Sequence, residues 1–228
     1  MRTTRLMIIT AVWILGTALF AAVGKAAGGG VSAMSPAQAL TRLLAGNQRF
    51  QNDKDGHPHL DSKRRKDLVG GQSPFAVILS CSDSRVPPEL IFDQGLGDLF
   101  IVRLAGNTVT RAGLESIDYA VSHLGTNLIM VLGHESCGAV KGALDECVSK
   151  PATALPEIFA NICPAVDRAR KNSATNLESS AIDLNVSEQV KILERSPTFS
   201  KRVSEGRLKV VGARYDLESG KVDILTSD

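Results

Sequence analysis

The chain is 228 residues long and nearly balanced in charge, with 26 basic against 24 acidic side chains and a formal net charge of +2. That balance excludes a surface built on bulk charge for nucleic acid, and the length suits one domain with a substantial core. There are no internal repeats and no nucleotide-binding glycine fingerprint.

Arg2 and Arg5 precede an apolar segment running from Leu6 to about Gly24, followed by Ala- and Gly-rich sequence ending in Gly28-Gly29-Gly30. A positive start, an apolar stretch and small residues make the pattern of a secretory signal, with cleavage expected near Ala21-Ala22 or Ala26-Ala27. The apolar stretch, about 19 residues, also reaches the roughly 17 to 25 needed to cross a bilayer, so an uncleaved membrane tether is the alternative. Either way the body, residues 31–228, is expected outside the cytosol, most simply in a bacterial periplasm. Loss of the leader, 1–30, removes three cations (Arg2, Arg5 and Lys25) and no acids, shifting the net charge from +2 to −1.

Ser35-Pro36 supplies an N-cap and a first helical residue for a helix to about Phe50, with Leu40, Leu43 and Leu44 on its apolar side. The polar stretch 52–66, dense in Asp, Lys and Arg and carrying His57-Pro58-His59, reads as a solvated loop. Gln72 lies in a turn made by Gly70, Gly71, Ser73 and Pro74. Short apolar runs predict strands at 75–80, 99–103 and 127–132, the β-branched enrichment suiting strands covered on both faces. Between the last two, Leu114, Ile117, Val121 and Leu124 define an amphipathic helix over 112–124, whose terminus His123 complements. That order predicts a right-handed crossover and an α/β fold, with a mainly parallel central β-sheet flanked by helices. Further on, 138–147 is helical, 151–171 forms a helix bent or interrupted at Pro164, and 172–175 is a linker. Short helices follow at 187–195 and 198–205, punctuated by Pro197. Runs 208–215 and 222–225 flank Glu218-Ser219-Gly220 as a C-terminal hairpin and edge strand.

Two of the apolar runs end in chemistry. Cys81-Ser82-Asp83-Ser84-Arg85 closes the strand at 75–80, and His134-Glu135-Ser136-Cys137-Gly138 closes the strand at 127–132. Sites in open α/β sheets form outside the carboxyl ends of the strands, so Cys81, Asp83, His134 and Cys137 can converge despite their distance in sequence. Two thiolates, an imidazole and a carboxylate are a zinc ligand set. If Asp83 ligates, the shell is closed; if Arg85 draws it off in a charge-assisted pair, a position opens for water, which zinc acidifies to hydroxide. The remaining Cys147 and Cys163 either form a disulfide, as an oxidising compartment permits, or stay as two free buried thiols; the sequence leaves both open.

Cys81-Ser82-Asp83-Ser84-Arg85-Val86-Pro87-Pro88-Glu89 followed by His134 to Gly138 resembles the β-class carbonic anhydrases. Gly46-Asn47-Gln48-Arg49-Phe50, Asp98-Leu99-Phe100-Ile101-Val102-Arg103 and 215–222 extend the likeness over roughly residues 35 to 226. The resemblance implies a zinc enzyme that reversibly hydrates carbon dioxide to bicarbonate and a proton through a zinc-bound hydroxide. Zinc would sit on Cys81, His134 and Cys137, with Asp83 and Arg85 as the catalytic dyad. It further implies a carbon dioxide pocket from Gln72, Phe100, Tyr119 and the Gly138 backbone N–H. The pocket aromatics would come partly from the opposite subunit of a homodimer, or of a higher even oligomer, on whose partner subunit the N-terminal helix packs. Residues 31–228 then make a single catalytic domain. Some bacterial members carry a Trp three residues before the first zinc Cys, as part of an inhibitory bicarbonate site. Here that position is Ile78, so this form of inhibition is expected to be absent. Rival readings are a carbonyl sulfide or carbon disulfide hydrolase of the same fold and a non-catalytic zinc-binding module.

Overall fold

The computed structural model describes residues 34–150 and 154–225. The expected leader and its cleavage sites lie outside the described residues, as does the opening of the helix expected from residue 151.

Five strands, β1 Ala76–Ser80, β2 Leu99–Arg103, β3 Leu128–His134, β4 Lys209–Tyr215 and β5 Val222–Leu225, form one sheet in the order β2-β1-β3-β4-β5. The first four are parallel, and β5 returns antiparallel to β4 as the edge of a C-terminal hairpin. Every residue of β1 and β3 is buried, because the sheet is covered on both sides. Alternate side chains feed two cores: Ile78, Met130, Leu132, Leu43 and Ile162 on one face, and Val77, Leu79, Ile129, Val131, Ile117 and Leu193 on the other. This double coverage is why the strands read as continuous apolar runs and not as alternating ones.

The first helix, α1 Pro36–Gln51, opens on a reciprocal cap in which Ser35 N–H donates to Gln38 Oε1 and Gln38 N–H donates to Ser35 Oγ. Its Gly46 lies so close to the next loop that a Cβ there would stand 1.8 Å from the Phe92 carbonyl oxygen. One residue on, the buried Asn47 amide donates to the Ile91 and Gly220 carbonyls and accepts from Val222 N–H. The Gly46-Asn47 pair thus staples α1 to the C-terminal hairpin.

The polar stretch after α1 is not the solvated loop the sequence suggests. It contains a short helix, α2 Ser62–Asp67, capped by Asp61. Two buried carboxylates hold it. Asp93 accepts from Arg49 Nε at 2.6 Å and from the Gly56 and His57 backbone N–H groups. Asp98 lies 2.6 Å from His59 Nδ1 and 3.1 Å from Arg42 Nη2. These acids were unremarkable in sequence because nothing local marks them as buried.

The remaining helices are α3 Pro88–Ile91, α4 Arg111–His123, α5 Gly138–Ser149, α6 Glu157–Lys171, α7 Leu177–Arg195 and α8 Ser200–Ser204. Two depart from expectation. Helix α6 runs through Pro164 without interruption. Both Pro164 and Ala160, whose carbonyl loses its helical partner, lie on the exposed side of the helix, open to solvent. Helix α7 begins ten residues before the expected 187. Its buried stripe is Ala181, Ile182, Asn185, Val186, Gln189, Val190 and Leu193, and the two amides within it break the apolar period a sequence reading depends on. The pairing left open in sequence is settled: Cys147 of α5 and Cys163 of α6 form a disulfide, Cα atoms 5.6 Å apart. Among the described residues no helix is long and apolar enough to cross a membrane.

Candidate metal centre

Parallel pairing of β1 with β3, in which Ser80 stands beside Leu132, brings the two ligand-bearing turns together. The sulfurs of Cys81 and Cys137 and a ring nitrogen of His134 lie within 4.8 Å of one another. All three residues are buried, at 5%, 1% and 1% exposure. The His134 ring is oriented by its own turn, since Nδ1 is 2.7 Å from the Glu135 carbonyl oxygen. A carbonyl only accepts, so Nδ1 carries the proton and Nε2 presents a bare lone pair. That Nε2 is buried with no hydrogen-bond partner among the described residues, an arrangement that costs free energy unless something takes the lone pair. An imidazole oriented through its other nitrogen and facing two sulfurs fits a divalent zinc ion.

The thiols are prepared for deprotonation. A hydrogen bond from the Cys137 thiol, with smaller help from the Asp83 and Gly106 backbone N–H groups, holds Cys81 down to about 4 against the cost of its burial. The same shared proton, together with burial, pushes Cys137 up. A divalent cation seated between the two sulfurs would take the place of the proton they share. Cys137 is also the N-cap of α5, where the Ala139 and Val140 N–H groups favour its anionic form.

Asp83 adopts the second of the two arrangements open to it. Arg85 Nε donates to Asp83 Oδ1 at 2.9 Å and Arg85 Nη2 to Oδ2 at 2.7 Å, a bidentate grip completed by the Arg85 backbone N–H. The guanidinium holds this carboxyl well below the usual carboxylate range. Asp83 Oδ2 stays 3.8 Å from His134 Nε2, beside the three-ligand cluster and outside it. Arg85 Nη2 also donates to the Ser136 carbonyl, tying the dyad to the second turn.

Two contributors escaped the sequence reading. Arg103, at the end of β2, donates to the Cys81 and Asp83 carbonyls and so fixes the loop that carries both. Gly106, in the 3-10 turn Ala105–Asn107, directs its N–H at Cys81 Sγ from 3.3 Å. The strand-final arginine was visible in sequence, but nothing there distinguished it from a surface cation.

The expected substrate pocket is not assembled within one chain. Phe100 is register-paired with Val77, four residues upstream of Cys81 and so about 13 Å down the strand from it. Tyr119, on α4, is 49% exposed with its ring 6.4 Å from that of Phe100. Gln72 is exposed ahead of β1, toward the amino ends of the strands. Gly138 alone stands at the cluster, as the first residue of α5.

The family model for carbonic anhydrase matches residues 76–222. Carbonic anhydrase 2 of Mycobacterium tuberculosis is 40% identical over 190 residues, covering 82% of this chain and 91% of its own. A carbonic anhydrase of Pseudomonas aeruginosa is 36% identical over 195 residues, covering 80% and 86%. Among solved structures, the β-carbonic anhydrase CcaA superposes with a TM-score of 0.67 at 31% identity, over 83% of this chain and 97% of that one. The chain therefore belongs to the β-carbonic anhydrase family, and it is an enzyme of that class.

Proposed function

We propose that the protein reversibly hydrates carbon dioxide to bicarbonate and a proton, with zinc held by Cys81, His134 and Cys137. When bound there, zinc supplies a Lewis acid that makes water nucleophilic near neutral pH. The observation that carries this reading is a buried, partnerless His134 Nε2 facing two thiols, next to an Asp83 that Arg85 keeps to one side. Because that grip keeps Asp83 ionised, its carboxylate accepts a hydrogen bond from the attacking water and orients it, while Arg85 prevents the same carboxylate from closing the site. The Gly138 N–H belongs to the first turn of α5, where backbone donors lack helical partners, and it serves the oxygen on which charge develops.

Gln72, Phe100 and Tyr119 supply the apolar and polar walls for a small linear substrate. Their placement away from their own thiols supports a homodimer, or a higher even oligomer, in which each chain completes its neighbour's site. One relative in solved form is described as a tetrameric β-carbonic anhydrase of Sordaria macrospora, 28% identical with a TM-score of 0.60. The leader pattern supports a periplasmic or secreted enzyme, and Ile78 supports the absence of the inhibitory bicarbonate site that uses a Trp at that position. Stopped-flow hydration measured beside zinc content tests the core of the reading. The native protein should hold about one zinc per chain and be active, Cys81→Ser should lose both, and Arg85→Ala should keep the metal but lose at least about 100-fold in kcat/KM. Full activity in Arg85→Ala overturns the dyad, and a native protein free of zinc overturns the function.

A further inference from the structure

Helix α7 buries two amides that its own packing does not need. Asn185 is 1% exposed and Gln189 is fully buried, in a stripe otherwise made of Ala181, Ile182, Val186, Val190 and Leu193. Such groups lower stability unless every polar atom finds a partner, and the partners here lie in one place. Asn185 Nδ2 donates to the Gly106 carbonyl at 2.8 Å, Gln189 Nε2 donates to Asn185 Oδ1 at 3.1 Å, and Gln189 Oε1 accepts from Val109 N–H at 2.7 Å. The pair is a short relay that grips the loop after β2.

Gly106 has φ 67° and ψ 23°, the left-handed region where a side chain is strained. A Cβ there would also meet Ile162 Cδ1 at 2.7 Å. With that pair of dihedrals set, the direction of the Gly106 carbonyl determines the direction of its N–H. Asn185 anchors the carbonyl, and the N–H points at Cys81 Sγ. We propose that Asn185 is a positioning residue for the metal centre, acting through Gly106 to hold one N–H hydrogen bond on the Cys81 sulfur. This rests on the reading of Cys81 as a zinc ligand. A hydrogen bond to a metal-bound sulfur withdraws charge from it and fixes its orientation; losing such outer contacts commonly weakens metal binding 10- to 100-fold.

The test compares Asn185→Leu, which keeps volume but loses the amide, with Asn185→Asp, which keeps the acceptor for Gln189 but loses the donor. Leu193→Ala, two turns beyond Asn185 on the same buried stripe and without a hydrogen bond to the Gly106 loop, reports general destabilisation. Each protein is titrated with zinc against a chelator and, separately, loaded with cobalt(II) to record the sulfur-to-metal charge-transfer band. Both Asn185 variants should bind zinc at least about 10-fold more weakly and move the cobalt band to lower energy, as a more electron-rich sulfur requires. Leu193→Ala should lower Tm and leave affinity and spectrum unchanged. If Asn185→Leu does not fold, Asn185→Asp decides alone. Affinity within about twofold of the native protein and an unmoved band in the Asn185 variants would overturn the inference while leaving the zinc reading intact. A native protein that takes up neither metal would overturn both.

Discussion

Replacing Cys147 and Cys163 together by Ser removes the disulfide cross-link between α5 and α6, and its cost follows from where the bridge sits. The two cysteines are 16 residues apart in sequence. In the chain-entropy description, closing a loop of that length removes about 10 cal/mol/K from the unfolded ensemble, or about 3 kcal/mol at 25 °C. For a chain of this size each kcal/mol moves Tm by about 2 to 4 °C, so the doubly substituted protein should melt roughly 6 to 12 °C lower. Calorimetry on zinc-loaded protein measures this, with urea unfolding as the check on free energy. Intact mass after alkylation in denaturant and chelator, without reductant, should show two modified thiols, rising to four after reduction. Four modified thiols without reductant would refute the bridge. A Tm change under about 2 °C, with the bridge demonstrated by mass, would refute the entropic magnitude.

Three further outcomes are expected. Tyr119→Ala and Cys81→Ser should each be nearly inactive alone, but unfolding and refolding them together should restore about a quarter of native activity, because half of the pairs are mixed and hold one intact site of two; no recovery would refute sharing of the site between copies. Gly46→Ala should destabilise by about 3 kcal/mol or more in urea, since its methyl group meets the Phe92 backbone carbonyl and no flexible side chain can give way. Asp83 is depressed chiefly by its Arg85 hydrogen bond, and Asp93 is depressed because Arg49 and two backbone N–H groups outweigh its burial. Below their unfolded values near 4 the unfolded chain binds protons that the folded chain refuses. Stability from these groups is therefore complete above about pH 5 and is lost as pH falls through the folded values. Acid titration of Tm should show a shallower decline in Asp93→Asn, and an unchanged slope would count against the assignment.

The sheet and the metal-binding cluster were legible from sequence for a common reason. Strands buried on both faces announce themselves as unbroken apolar runs, and Cys81, His134 and Cys137 sit where two of those runs stop. What stayed hidden was buried polarity. Asn185 and Gln189 concealed the first half of α7 by interrupting its period, and Asp93 and Asp98 turned a charged stretch into an anchored one through partners far away in sequence. Pro164 misled in the opposite direction, because the cost of a proline within a helix depends on whether water reaches the orphaned carbonyl. The placement of Phe100 and Tyr119 relative to the cluster needed strand register, which no local pattern encodes.

The adjacency of β1 and β3 also has a kinetic meaning. His134 and Cys137 lie three residues apart in one turn, whereas Cys81 comes to them only through the pairing of β1 with β3 across the long intervening crossover. On the zinc reading, tight capture of the metal would therefore wait on a non-local pairing, and a chain in which β1 and β3 have not paired would lose the ion to competing chelators.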